Sequence, residues 1–196
     1  EILAHNTDPN KMFGGSQYNT AVRSLDGGDT WYYVSDMPDF NSLNAPFSSQ
    51  YESSYQDPDL VLSLNSTGIG KSNDWGETWK NVEIPDGNWS NINSRDISIS
   101  DANPRFVWVG GYMGNFSKIY VSSDWGDSYV PVNNFTNENG LSMGTISGIY
   151  THPIQDSTAY ILFSYYGFPK VIKTEDLGNT WDDISGFGSL DDGISV

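Results

Sequence analysis

Four aspartates recur in one setting along this chain. They stand in Ser24-Leu25-Asp26-Gly27-Gly28-Asp29-Thr30-Trp31, Ser72-Asn73-Asp74-Trp75-Gly76-Glu77-Thr78-Trp79, Ser122-Ser123-Asp124-Trp125-Gly126-Asp127-Ser128-Tyr129 and Thr174-Glu175-Asp176-Leu177-Gly178-Asn179-Thr180-Trp181. A carboxylate in such company can serve catalysis, or its oxygens can accept the N–H groups of a tight turn. The pattern Ser/Thr-x-Asp-x-Gly-x-Ser/Thr-aromatic points to the turn. Gly28, Gly76, Gly126 and Gly178 supply a residue that adopts positive φ without penalty. Trp31, Trp79, Tyr129 and Trp181 then bring an apolar ring back into the layer between repeats. The aspartates at 26, 74, 124 and 176 lie 48, 50 and 52 residues apart, so the pattern marks a repeat.

Other reactive groups are sparse. His5 and His152 hold similar places within the repeat, and no third ligand recurs beside them, so they read as turn residues. Asp182-Asp183 and Asp191-Asp192 lack the spaced oxygen pattern of a calcium loop. There is no phosphate-binding glycine loop, nucleophile elbow or HExxH, and no metal or cofactor is implied. With 25 acidic against 9 basic residues the net charge is −16, which disfavours nucleic acid and anionic membranes as partners. No apolar run reaches eighteen residues, so membrane insertion is not expected, and Glu1 to His5 do not read as a signal peptide. The absence of cysteine excludes disulfides and thiolate metal sites. Sequons at Asn65, Asn88, Asn115 and Asn134 are no more than 18 asparagines would give by chance.

The elements that must carry the repeated turns read as strands. Asp8-Pro9, Asp57-Pro58, Asn103-Pro104 and His152-Pro153 precede the four motifs and read as turns, because proline fixes φ and keeps its predecessor extended. Short β-type runs follow them. In the third repeat, Asp96 to Ser100 alternates polar and apolar as a half-buried strand does. Phe106 to Gly110, Ser117 to Val121 and Ser128 to Val132 supply three more strands, with the motif joining the last two. No segment has a helical period, so the chain is all-β.

At these residues a family resemblance becomes specific. The four motifs resemble Asp boxes, or bacterial neuraminidase repeats, and each unit is similar to one four-stranded antiparallel blade of a β-propeller. Related blades occur in sialidases, sortilin-like receptors, xyloglucan hydrolases, photosystem II assembly propellers and large secreted bacterial proteins, many exported by the type IX system. The resemblance implies blades at about 1–40, 47–87, 94–133 and 145–187, with 188–196 opening a further one, in a single segment of a larger propeller. It also implies that Asp26, Asp74, Asp124 and Asp176 are structural, on the rim opposite the usual ligand face.

That ligand face is formed by loops between the second and third strands and by crossings between blades. They carry Tyr18, Trp89, Tyr112, Phe116, Tyr165 and Tyr166, with Gln17, Asn19, Asn115 and Phe168 beside them. Rings among amides and carboxylates suit a sugar, which stacks by its ring face and hydrogen-bonds by its hydroxyls. Sialidase chemistry is not expected, since only Arg23, Arg95 and Arg105 are present and the Arg-Ile-Pro signature is absent. A glycoside hydrolase would need two carboxylates roughly 5 to 10 Å apart. Asp96, Asp36, Asp86 and Glu138 are the weak candidates, with Asp39 beside them. The expectation is a non-catalytic binding or display scaffold of an extracellular or cell-surface bacterial protein. Its partners would be a glycan or protein ligand, the rest of its own longer chain and secretion machinery. The alternatives are a propeller glycoside hydrolase and a sortilin-like protein-interaction module.

Overall fold

The computed structural model describes residues 2–18, 20–39, 50–84, 92–113, 116–132, 146–164 and 171–186. Every described element is a strand, and the strands form four antiparallel sheets in simple chain order. Blade 1 holds β1 (Ile2–Ala4), β2 (Met12–Gly15), β3 (Ala21–Ser24) and β4 (Tyr32–Tyr33). Blade 2 holds β5 (Tyr51–Ser53), β6 (Val61–Leu64), β7 (Gly68–Ser72) and β8 (Lys80–Glu83). Blade 3 holds β9 (Ile92–Ile99), β10 (Val107–Met113), β11 (Phe116–Ser122) and β12 (Val130–Pro131). Blade 4 holds β13 (Ile146–Thr151), β14 (Ala159–Phe163), β15 (Val171–Thr174) and β16 (Asp182–Asp183). The strands expected in the third repeat are all present, with the first starting earlier and the last shortened to two residues.

The chain divides into two compact units, one of Glu1–Ser90 with Asp124–Ser128, the other of Asn91–Ser123 with Tyr129–Val196. Each has its own core. In the first, Phe13, Ala21, Val34, Met37, Tyr51, Val61 and Trp75 are buried together, and Trp79 packs against them. Phe13 lies edge-on to Tyr51 at 5.1 Å and tilted against Trp79 at 5.7 Å, so the motif ring of blade 2 caps the second strand of blade 1. In the second, Trp108, Ile119, Ile149, Ile161, Phe163 and Ile172 form the centre, and Trp181 meets Trp108 at 6.2 Å. The same strand-to-motif contact therefore recurs between blades 3 and 4. The motif ring was expected in a layer between repeats; Trp79 and Trp181 are half-buried there, Tyr129 is buried, and Trp31 is 40% exposed. No described blade covers it, because blade 1 turns its other face to blade 2.

The first two strands of each blade are joined by a turn that borrows one side-chain acceptor. His5 Nδ1 accepts Asp8 N–H at 3.0 Å, Ser54 Oγ accepts Asp57 N–H at 3.0 Å, Ser100 Oγ accepts Asn103 N–H at 3.3 Å, and His152 Nδ1 accepts Gln155 N–H at 3.2 Å. The turns close by Lys11 N–H to Asp8 O, Leu60 to Asp57, Phe106 to Asn103 and Thr158 to Gln155. This corrects the placing of His152-Pro153 beside the other X-Pro dipeptides. His152 aligns with His5, and the fourth turn begins three residues later at Gln155, without a proline.

Glycine is required where the motif turn meets the neighbouring blade. Gly76 has φ 78°, and a Cβ there would stand 2.6 Å from Phe13 Cε2. Gly186 has φ 71° with nothing within 4 Å of such a Cβ. Gly186→Ala should cost about 1 kcal/mol, the penalty of the left-handed conformation alone. Gly76→Ala should cost more than ~2 kcal/mol, because overpacking adds to it. Urea unfolding of both variants checks the difference, and equal losses would refute the packing of Phe13 on the turn.

Candidate functional site

The motif turns are built around their carboxylates. In the first, Asp26 Oδ1 accepts Thr30 N–H at 2.9 Å and Ser24 O–H at 2.8 Å, while Oδ2 accepts the Thr30 hydroxyl at 2.5 Å. Asp74 does the same with Thr78 and Ser72 and adds Glu77 N–H at 3.0 Å. Asp124 takes Asp127 N–H, Ser128 N–H and the Ser128 hydroxyl at 3.1, 2.9 and 2.6 Å. Asp176 takes Thr180 N–H, the Thr180 hydroxyl and the Thr174 hydroxyl at 2.9, 2.7 and 2.8 Å. The leading hydroxyl also accepts the glycine N–H, as Ser24 does from Gly28, Ser72 from Gly76 and Thr174 from Gly178. Trp31 and Trp79 donate their indole N–H to Gly28 O and Gly76 O.

These bonds favour the ionised form. The Thr30 hydroxyl and amide, with Ser24, hold Asp26 down at about 2. Thr180 lowers Asp176 in the same way. At Asp74 desolvation is the largest influence and pushes upward, yet the Thr78 and Ser72 hydrogen bonds outweigh it and leave the group lowered. Carboxylates so held are acceptors already occupied, and they serve the turn.

One feature of the turn was not legible. Two consecutive residues take positive φ: Trp75 (54°), Trp125 (60°) and Leu177 (57°) precede their glycines, and Gly27 does so in the first. Their backbone N–H explains the arrangement, since Gly27 donates to Asn10 O, Trp75 to Asp59 O and Leu177 to Ser157 O at 2.9 to 3.1 Å. The motif turn is thereby tied to the turn between the first two strands.

A second missed set is ionic. Asp59 receives Lys11 Nζ at 2.9 Å and His5 Nε2 at 3.4 Å, and these bonds, the Lys11 one foremost, lower its pKa. His5 Nδ1 is an acceptor, so Nε2 carries the proton, and the ring stands edge-on to Trp75 at 4.7 Å. Arg23 faces Glu77 at 3.7 Å, and buried Lys71 meets Asp127 at 2.9 Å with Lys80 beside it. Desolvation is the main upward push at Asp127, but the two lysines keep it lowered. Aligning the repeats on their motifs would have placed Arg23 and Lys71 at one position and Glu77 and Asp127 of the following motifs at another.

Of the residues expected on the ligand face, Tyr18 sits at the β2–β3 hairpin, half-buried with φ 57°. Tyr112 and Phe116 fall at the end of the β10–β11 hairpin by register. Asp36 is exposed. Asp39 Oδ2 accepts Ser66 N–H at 2.5 Å, and Asp96 Oδ2 accepts Ile149 N–H at 2.6 Å, so both fasten one blade to the next. Trp89, Tyr165, Tyr166, Asp86 and Glu138, with Asn19, Asn115 and Phe168, lie outside the described residues. Asn65 is fully buried, its Oδ1 accepting Gly68 N–H and its Nδ2 donating to Asn81, which closes that sequon to modification. A cleft of about 480 Å³ opens on blade 1, lined by Ile2, Val22, Trp31 and Tyr33 with Ser16 and Thr20 at one end.

No family model and no curated protein sequence matches the chain. Among solved structures it is similar to the GH74 xyloglucanase from Xanthomonas campestris, at 16% identity and TM-score 0.71 over 95% of this chain and 30% of that one. It is also similar to the GH74 enzyme from Niastella koreensis, at 19% identity and TM-score 0.65 over 93% and 29%. YCF48 from Cyanidioschyzon merolae matches at 14% identity and TM-score 0.56 over 92% and 54%. At these identities the likeness is one of fold, and the fold is that of β-propeller blades. The chain spans about a third of the length of these glycoside hydrolases and about half of YCF48.

A lowered aspartate stabilises the fold fully above its unfolded pKa and loses that contribution as pH falls through the folded one. Asp26 shifts from 3.8 to about 2. The melting temperature should therefore hold above about pH 4 and fall between about pH 4 and 2. Asp26→Asn should melt lower at pH 7 but lose less on acidification. A parent-like acid slope in that variant would remove Asp26 from the account.

Proposed function

We propose that this stretch is a non-catalytic binding and display module of a secreted or cell-surface bacterial protein, built of Asp-box blades and presenting a glycan-binding loop surface. One observation carries the reading: the carboxylates the repeat places most regularly are spent on their own turns, and Asp39 and Asp96 on backbone amides of a neighbouring blade. An acid whose oxygens hold a strand in register is poorly placed to exchange protons with a substrate. What such blades offer instead is stiffness beneath aromatic loops. The named substrate of the xyloglucanase neighbours motivates the choice of a plant-type polysaccharide as ligand. Tyr18, Trp89, Tyr112, Phe116, Tyr165 and Tyr166 are the proposed contacts.

The same likeness motivates one second reading, a hydrolase with Asp96, Asp36, Asp86 or Glu138 as its acids. Affinity electrophoresis in xyloglucan gels, with reducing-end assays on the same protein, separates the two. The expected result is retardation without new reducing ends, weakened about tenfold in Tyr18→Ala, the worth of one stacked ring. Reducing-end release abolished by Asp96→Asn with the melting temperature unchanged would establish the hydrolase. No retardation by any polysaccharide, with capture of a protein ligand, would replace glycan by protein.

A further inference from the structure

The four turns between first and second strands do one job with two chemistries. His5 Nδ1 accepts the N–H of Asp8 at 3.0 Å and that of Thr7 at 3.3 Å, and His152 Nδ1 accepts those of Ile154 and Gln155, both at 3.2 Å. Ser54 Oγ takes the Gln56 and Asp57 N–H groups at 3.2 and 3.0 Å, and Ser100 Oγ takes that of Asn103 at 3.3 Å. A hydroxyl oxygen keeps its lone pairs as pH falls, whereas an imidazole nitrogen accepts only while the ring is neutral, and both nitrogens of the imidazolium are donors. Serine does the capping in two of the turns, so the fold has no need of histidine for it. The two kinds of turn therefore differ in their response to protons.

The surroundings decide which part yields. His5 is buried, its Nε2 donating to Asp59 Oδ1 at 3.4 Å, with Lys11 Nζ on the same oxygen at 2.9 Å and Trp75 edge-on at 4.7 Å. The acid of its own turn, Asp8, accepts Asn10 N–H at 3.0 Å. A second proton on the ring keeps the bond to Asp59 and sets Nδ1–H against the amides of Thr7 and Asp8. The ring stays and the loop leaves. That loop also donates Asn6 Nδ2 to Tyr55 O and offers Asn10 O to Gly27 N–H, so its opening loosens its hold on the blade 2 turn and on the first motif turn. His152 is half-buried and stacked on Tyr160 at 6.5 Å. The acids of the turns around it are Asp156, which accepts Asn103 Nδ2, and Asp101, whose N–H bonds Thr151. No acid among the described residues is bonded to the His152 ring.

We propose that His5 and His152 make the β1–β2 and β13–β14 turns acid-sensitive latches, closed on the neutral ring and opened by the imidazolium, while the serine-capped β5–β6 and β9–β10 turns stay shut. Sugar binding plays no part in the latch, so failure of the glycan reading leaves it standing.

Amide hydrogen exchange of the 196-residue chain, divided at each pH by the exchange of an unstructured amide, tests it. From about pH 8 to about pH 5, the span over which an ordinary imidazole changes charge, protection at Asp8 and Gln155 should fall about fivefold, the loss of one turn cap. Asp57 and Asn103 should keep theirs, and circular dichroism should retain the strands. His5→Ser should make protection at Asp8 independent of pH without touching Gln155, and His152→Ser should do the reverse. Nitrogen NMR shifts of the parent's imidazole rings give a reading free of substitution: Nδ1 should be the bare nitrogen in the neutral ring and gain its proton as the turn opens. Protection at Asp8 and Gln155 that tracks Asp57 and Asn103 throughout would overturn the proposal. So would a fall at Asp8 that survives His5→Ser, or neutral rings that carry their proton on Nδ1.

Discussion

The structure depends on a carboxylate whose two oxygens are both engaged by its own turn. An aspartate oxygen can accept about two hydrogen bonds, and in each motif the turn supplies amide and hydroxyl donors to both oxygens. Two consecutive left-handed residues are tolerated because that hub over-determines them. Their N–H groups in turn reach the first-to-second strand turn, so the two turns are hydrogen-bonded to each other. The aromatic that ends the motif is aimed by the same geometry. Local turn chemistry therefore sets the packing between blades.

Between blades the layer is apolar at its centre and ionic at its edge. Phe13 with Tyr51 and Trp79, and Trp108 with Trp181, fill the centre of the two described junctions. Asp59 with Lys11 and His5 closes the edge of the first of these, and Asp127 holds Lys71 and Lys80. Lys71 is nearly buried, so Asp127 is what allows its charge to remain inside.

Much of this was legible because it is local. The motif lies within eight residues, and its hydroxyls, aspartate and glycine announced the turn, its positive φ and the side-chain bonds. The alternation of Asp96 to Ser100 gave a strand that the structure places in β9. What could not be read depends on distance along the chain. Asp39 reaches Ser66 and Asp96 reaches Ile149 across 27 and 53 residues, and no single repeat foretells a partner in the next. Lys71 is buried although nothing in its sequence neighbours predicts it. His152-Pro153 misled because a proline dipeptide is a weaker marker of register than the side-chain acceptor that caps the loop. Tyr18 is the one aromatic of the expected ligand face whose placement is described through its side chain; the others rest on family resemblance.

The central claim is that the motif carboxylates pin the outer turns and, through them, the blades. Amide hydrogen exchange at Thr30, Thr78, Ser128 and Thr180 measures it most directly, because each N–H is bonded to its motif aspartate. The account predicts that these exposed amides exchange far more slowly than open loops, and that Asp74→Asn speeds exchange at Thr78 and at Trp75, whose N–H holds the adjoining turn. Fast exchange at all four in the parent protein, or protection at Thr78 unchanged by that substitution, would contradict it.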